Sequence, residues 1–494
     1  MVVAKYSIII VLIFFNRIAD ASFDAQIENF CPECKGLAGS KTATVILDKG
    51  NTALLSRAWL TRNAQRSIDI QYFIWSHDNV GILAAAELLA AADRGVAVRV
   101  IVDDFLVNTD LRQLAALDQH PYIQIKIYNP LHHVGVSKIK RVWHLLTKFR
   151  NFNQRMHDKL AVFDGDFAIT GGRNMADEYF DFNKDYAFRD RDVLVYGQAL
   201  ESMQQSFERF WAHDLAKPLT ALLAKEINDL TETERHEIYQ KFRDYARDEN
   251  NFLPEVRSAI NKLNTRFPLL AKEKVWSDAE FFADLPGKNS GGQGLQGGGI
   301  TSSKLYELMA AADDEILIQS PYMVVPKDIV TFFAQRVQAG VSIKLSTNSL
   351  ASTDNLLAYS GYHNVRDDLL KAGVQIFEYK PEPKNFAKLY LNSEAVSGDK
   401  PTFAIHAKSM VIDKKMALIG TFNFDPRSIH LNTEVALMMP DEAVATELKM
   451  LIEDDMNGRN SWQVTSRFNA DRKVTFAKRL KLSFLKLLPL EAIL

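Results

Sequence analysis

Apolar positions along the chain fall into short runs with two different periods. Residues 54–64 carry helical spacing, and residues 67–74 (Ser-Ile-Asp-Ile-Gln-Tyr-Phe-Ile) alternate like a strand. The Ala- and Leu-rich stretch 81–93 reads as a helix. Gly95 breaks it and leads into 96–102, a strand nearly apolar enough to be buried on both faces. A short helix over 111–117 and a strand over 123–128 follow. Strands alternating with helices predict an α/β domain with a mixed or parallel sheet.

The same order then returns. A helix is predicted over 303–312, a strand over 315–322, a helix over 329–338, and strands over 340–345 and 374–379. A period this long indicates a duplicated domain rather than a solenoid. Two similar lobes about a pseudo-twofold axis would bring corresponding segments together at their interface. The boundaries expected are a first lobe over 43–197, a helical connector with a Gly-rich loop over 198–294, a second lobe over 295–460 and a basic amphipathic tail over 461–494. The Gly-rich stretch 287–299 lacks a closing Gly-Lys-Ser/Thr, so it reads as a surface loop, with a lid over a cleft as the alternative.

Each half carries the spacing H-x-K-x4-D-x6-G-x-x-N. In the first half it is His157, Lys159, Asp164, Gly171 and Asn174; in the second it is His406, Lys408, Asp413, Gly420 and Asn423. Residues 161–163 and 410–412 are strand-like, so each histidine and lysine, two apart, point to one side. The Gly-Gly or Gly-Thr turn is expected to return the chain and place Asn174 or Asn423 near the pair. Together the halves offer two imidazoles, two ammoniums and two amides around one space. That set suits a phosphodiester: lysines neutralise its oxygens, amides donate to them, one histidine attacks phosphorus and the other protonates the leaving oxygen. The lysines supply the positive charge, so neither a metal nor another cofactor is expected. Asp192 and Glu434, each ahead of an apolar strand, are the candidates to orient the histidines. Asp164 and Asp413 are carried with the catalytic set as motif members, although strand alternation turns them from the cleft toward a structural role.

Composition narrows the setting. The net charge is -2, from 59 basic and 61 acidic residues, which argues against a protein that coats nucleic acid. Residues 1–21 combine Lys5, an apolar run and Ala19-Asp20-Ala21, the layout of an export signal; a retained N-terminal anchor is the alternative. The two cysteines, Cys31 and Cys34, fall in the linker 22–42, where a local disulfide is the plainer reading and free thiols remain open. Residues 136–156 and 472–488 are basic and interleaved with apolar side chains, a composition that suits an anionic membrane surface; a solvated face packed on the body is the alternative.

The paired motifs resemble those of the phospholipase D superfamily. The flanks Gly171-Gly172-Arg173-Asn174-Met175-Ala176-Asp177-Glu178-Tyr179-Phe180 and Asn423-Phe424-Asp425-Pro426-Arg427-Ser428, with residues 70–75, are similar to the bacterial cardiolipin synthase branch, most of all its type C members. The resemblance runs from about residue 43 onward. It implies a duplicated bilobal α/β/α sandwich with the active site at the interface of the lobes. It also implies transfer of a phosphatidyl group through a phosphohistidine to phosphatidylglycerol, forming cardiolipin, with phosphatidylethanolamine as a possible donor. By family pattern His157 is the nucleophile and His406 the acid/base. Gly172 departs from the serine common in the superfamily, and the signal-like start departs from the longer anchors of relatives. The expected place is the bacterial membrane, on the periplasmic face.

Competing readings are a hydrolytic phospholipase D, a metal-independent phosphodiesterase or nuclease, and a non-enzymatic membrane-binding protein. Water and a lipid alcohol compete for the same intermediate, so the motifs do not separate transfer from hydrolysis. Near-neutral charge and the signal-like start weigh against a nuclease, and two intact motifs weigh against a vestigial site.

Overall fold

The strands expected from apolar alternation form the centres of two sheets. The structure, a computed structural model, describes residues 37, 39–104, 110–134, 136–252, 267, 269–270, 272–288, 295–390 and 400–487. The signal-like residues 1–21, the Cys31–Cys34 pair and the core of the Gly-rich loop (289–294) lie outside the described residues.

The strands are, in chain order, β1 (Thr42–Leu47), β2 (Ser67–Tyr72), β3 (Ala97–Asp103), β4 (Ile123–Tyr128), β5 (Leu160–Phe163), β6 (Phe167–Gly171), β7 (Tyr186–Arg189), β8 (Asp192–Gly197), β9 (Ala216–Pro218), β10 (Val275–Ser277), β11 (Glu280–Ala283), β12 (Glu315–Gln319), β13 (Ser342–Asn348), β14 (Gln375–Tyr379), β15 (Thr402–Ile405), β16 (Ser409–Ile412), β17 (Met416–Gly420), β18 (Val435–Met439) and β19 (Ser461–Val464). The first sheet has the order β10-β1-β8-β6-β5-β2-β3-β4-β9 and the second β11-β18-β17-β16-β12-β13-β14-β19. In each, three strands run parallel (β2, β3, β4 and β12, β13, β14) and an antiparallel hairpin carrying a motif (β5–β6 and β16–β17) joins their edge. Duplication therefore holds for the central strands, with β10 as an extra edge strand of the first sheet.

Strand alternation sorts the core. On β5, Leu160 and Val162 face one way into an apolar cluster shared by both lobes, while Ala161 and Phe163 face the first lobe's own helices. On β16, Val411 enters the shared cluster and Met410 and Ile412 the second lobe's core. The shared cluster is completed by Met203, Phe207 and Phe210 of helix Ala199–Ala212 and by Val444, Leu448 and Ile452 of helix Glu442–Met456. Two sheets thus bury one face jointly and cover the other separately, which fixes the lobes against each other.

Strands cross the boundaries read from the sequence. Residues 198–294 are not helical throughout: β9 and β10 edge the first sheet, and β11 edges the second by pairing with β18. The tail region opens with β19, which pairs with β14. A third, small sheet joins the lobes directly, with β7 and β15 parallel and Arg189 opposite Ile405. Its counterpart is the single parallel bridge between Met156 and Thr433. Among the described residues, no helix is long and apolar enough to cross a membrane.

Candidate active site

Both histidines sit just ahead of a central buried strand. The residue before each is held by the side chain that ends the middle parallel strand. Asp103 Oδ2 accepts from Met156 N at 2.8 Å, and Asn348 Oδ1 accepts from Ile405 N at 2.7 Å. The histidine itself then pairs across the lobes. His157 N donates to Thr433 O (3.1 Å), and His406 N donates to Arg189 O (2.8 Å).

Those two backbone contacts set the next residue of each partner strand against the imidazole. Glu434 Oε2 lies 2.8 Å from His157 Nδ1, and Asp190 Oδ2 lies 2.7 Å from His406 Nδ1. Each histidine is oriented by a carboxylate from the opposite lobe, and Nε2 is the nitrogen left to face a substrate. Glu434 is the acid expected from the sequence; Asp192 is not its counterpart. Asp192 Oδ2 instead pairs with Arg57 (3.0 Å) and Arg173 (3.3 Å) inside the first lobe. Gly171 stands opposite Asp192 on β6–β8, whereas Gly420 stands opposite Ala436, so Asp190 and Glu434 are the equivalent pair. In Arg189-Asp190-Arg191 the two arginines turn the other way, onto Asp48 and Asp455, and leave Asp190 aimed at His406.

The lysines stand within the same space. Lys159 Nζ donates to His157 O at 2.7 Å and lies 5.5 Å from the Phe73 ring centre. Lys408 Nζ lies 3.0 Å from His406 Nδ1 and 3.2 Å from Nε2, and also donates to His406 O. Burial, then the neighbouring Lys408, pulls Lys159 down to about 7. Burial pulls Lys408 to about 8 against the attraction of Asp190 and Glu434. Burial and both lysines hold His157 well below its ordinary value, and burial with Lys408 pulls His406 to about 4. Burial pushes Asp190 upward, but His406, Lys408 and Arg173 outweigh it and keep its carboxyl below the usual range. Burial raises Glu434 to about 7, with Lys159 opposing.

The two asparagines differ in their surroundings. Asn174 Oδ1 accepts from Ile74 N (3.1 Å), and its Nδ2 donates to the Tyr179 hydroxyl (2.8 Å), which lies 3.4 Å from His406 Nε2. Asn174 therefore reaches the other lobe's histidine through Tyr179. Asn423 N donates to Ser428 Oγ, while its buried Oδ1 has no partner among the described residues.

Asp164 and Asp413 stand outside this constellation, which corrects their inclusion in the catalytic set. Each lies past the far end of its strand at positive φ (54° and 53°). Asp164 accepts from the backbone N–H of Gln65, Arg66 and Ser67 at 2.7–2.9 Å, and Asp413 from Asp313, Asp314 and Glu315 at 2.8–3.0 Å. They pin the entry to β2 and β12. The hairpin turns at these aspartates, not at the Gly-Gly and Gly-Thr pairs, which end the returning strands.

Gly172 acquires a physical reason. In the second lobe Thr421 Oγ1 donates to Glu434 Oε2 at 2.6 Å. In the first lobe a Cβ on Gly172 would meet Asp190 Oδ1 at 2.0 Å. A short carboxylate with no side chain beneath it replaces a long one braced by a hydroxyl. Asp190 and Tyr179 escaped sequence reasoning. Tyr179 stands in the flank of the first motif and Asp190 two residues before Asp192, but the contacts that place them run between the lobes.

The profile of the family described as "Cardiolipin synthase, PLD-like domain" matches residues 60–211 and 305–456, one copy per lobe. The chain belongs to this family. It is 32% identical over 422 residues to cardiolipin synthase C of Escherichia coli, covering 85% of each protein. It is 29% identical over 432 residues to an uncharacterized Helicobacter pylori protein, covering 86% of this chain and 80% of that one. Cardiolipin synthase 1 of Bacillus anthracis is 25% identical over 462 residues, 92% of this chain and 73% of its own. In fold, the chain matches the crystal structure of phosphatidylserine synthase from Haemophilus influenzae with a TM-score of 0.60 at 14% identity, covering 94% of this chain and all of that one. Membership in the PLD-like family makes this chain an enzyme of the phosphatidyltransferase type, built on the duplicated fold described above.

Proposed function

We propose that this enzyme forms cardiolipin by passing a phosphatidyl group through His157 to the headgroup hydroxyl of phosphatidylglycerol. The observation that carries the reading is the crossed pair, two Nδ1-anchored histidines from different lobes beside two buried lysines. His157 Nε2 bonds to phosphorus as the phosphorus–oxygen bond to the leaving alcohol breaks. His406 gives that alcohol its proton from Nε2. The incoming glycerol hydroxyl then returns a proton to His406 and attacks phosphorus, and the bond to His157 breaks. Lys159 and Lys408 neutralise the phosphate oxygens, and Asn174 and Asn423 hold the site's edges.

The different carboxylates support this division of labour. The ionised Asp190 opposes the burial and Lys408 that hold His406 low, and so stabilises the imidazolium that forms when His406 takes up a proton during turnover. Glu434 is raised and leaves His157 neutral, as a nucleophile requires. Phosphatidylglycerol is the acceptor in this reading, and phosphatidylethanolamine or a second phosphatidylglycerol the donor. The place of action is the outer face of the bacterial inner membrane, reached through the export signal over residues 1–21.

The test is incubation of purified protein with phosphatidylglycerol, with and without phosphatidylethanolamine, followed by resolution of the lipid products. Cardiolipin is expected, with a phosphatidyl-enzyme trapped on acid quench and absent in His157→Ala. Phosphatidic acid as the sole product would replace transfer with hydrolysis. Activity is expected to persist in EDTA, because the lysines carry the charge; loss that a divalent ion restores would refute this chemistry.

A further inference from the structure

Helix Phe476–Leu485 packs on the second lobe by one side only. Leu482 enters that lobe's core, and Lys478 Nζ reaches the carbonyl of Ala351 at 3.5 Å. The opposite side carries Phe476, Leu480, Phe484 and Leu487, which are 72%, 60%, 69% and 80% exposed. Phe476, Leu480 and Phe484, four residues apart, share one helical face, and Leu487 follows in the turn just past the helix end. Large apolar side chains this exposed, in a continuous row, need a partner. The flanks name its charge: Arg472, Lys473 and Lys481 are exposed, and residues 472–487 contain no acid. Two copies meeting through this stripe would set these cations against each other, whereas an anionic lipid surface complements them.

The helix also touches the rim of the cleft. Ala351 belongs to the loop 349–355 that follows β13. In that loop Asp354 accepts from the Tyr322 hydroxyl at 2.7 Å, and its charge acts on both His406 and Lys408. We propose that helix Phe476–Leu485 is an interfacial helix, which lays its Phe476–Leu480–Phe484–Leu487 stripe into the boundary of an anionic bilayer and holds the mouth of the catalytic cleft at that surface. The proposal rests on the function above in one respect, that the substrate is a membrane lipid.

The full-length protein would be floated with vesicles of phosphatidylcholine alone and of phosphatidylcholine mixed with phosphatidylglycerol. Wild type is expected to bind the anionic vesicles preferentially. The triple variant Phe476→Ser/Leu480→Ser/Phe484→Ser is expected to lose binding about tenfold or more, and turnover of vesicle lipid with it. Its turnover of a short-chain soluble phosphodiester is expected to match wild type, which also reports that it folds. Arg472→Glu/Lys481→Glu is expected to lose the preference for anionic vesicles. Undiminished vesicle binding by the triple variant overturns the proposal. So does a wild-type dimer by light scattering that the triple variant converts to monomer without change in vesicle binding, since that assigns the stripe to a second copy. Absence of soluble-diester turnover in wild type would instead count against the proposed chemistry, with vesicle binding still read independently.

Discussion

The two halves of the site are copies that no longer match. In one, His157 meets a glutamate braced by Thr421, and the carboxyl is lifted to about 7. In the other, His406 meets an aspartate over a bare glycine, crowded by Lys408 and Arg173, and the carboxyl stays low. His406 is further flanked by Tyr179 and Phe188, each 5.0 Å away, whereas His157 has the edge of Phe73 at 5.0 Å. Duplication supplies two similar imidazoles; the carboxylates make their surroundings unequal, and the proposed roles of nucleophile and acid rest on that inequality.

This comparison can be broken most decisively by removing each histidine in turn. His157→Ala and His406→Ala are each expected to lower kcat by about 10²–10⁴-fold on natural lipid. On a diester with a nitrophenol leaving group, which departs without a proton, His406→Ala is expected to recover most of its loss and His157→Ala none. Equal recovery by both would erase the distinction between the halves. The carboxylates come next. Asp190→Asn is expected to lower kcat by about 10²–10³-fold, because it removes the charge that favours imidazolium. Glu434→Gln is expected to cost about tenfold or less, because that carboxyl is already near half protonated at neutrality. A reversed order would assign the nucleophile to the other lobe.

Smaller effects sharpen the picture. Thr421→Ala is expected to cost about tenfold in kcat/KM by freeing Glu434, roughly the value of one buried hydrogen bond to a charged group. Gly172→Ser is expected to act on His406 alone, since its Cβ displaces Asp190; a leaving-group series would register this. With pH, kcat/KM is expected to fall from about pH 7 and more steeply above about pH 8, as Lys159 (about 7) and then Lys408 (about 8) lose the protons that bind phosphate in the free enzyme. A flat alkaline limb would mean that neither lysine carries phosphate charge. Asp164→Ala and Asp413→Ala are expected to lower stability by about 1–3 kcal/mol in chemical denaturation, with little change in kcat, because they hold backbone far from the imidazoles.

The legible part of the site was what lies within one lobe. His157 and Lys159, two apart ahead of an apolar strand, place themselves, and the second copy at His406 and Lys408 removes chance. The parallel strands were legible because each is a run of five residues or more rich in apolar side chains. The illegible part lies between lobes. Arg189-Asp190-Arg191-Asp192 offers two acids each preceded by an arginine, and the backbone bond from His406 to Arg189 sets Asp190 toward the cleft. Tyr179 and Asn174 form a chain to His406 that no spacing within the first half encodes. Strands of three or four residues at β9, β10 and β11 are too short for a period and take their conformation from the sheet edges they complete.

Because each imidazole takes its carboxylate from the opposite lobe, docking of the lobes is itself the arming step. A chain in which one lobe has folded and the other has not has neither histidine aligned by its carboxylate, so neither lobe alone carries the assembled site. Completion of the site is thereby tied to folding. It is a logical conjunction written in side chains, true only when both halves are present and seated.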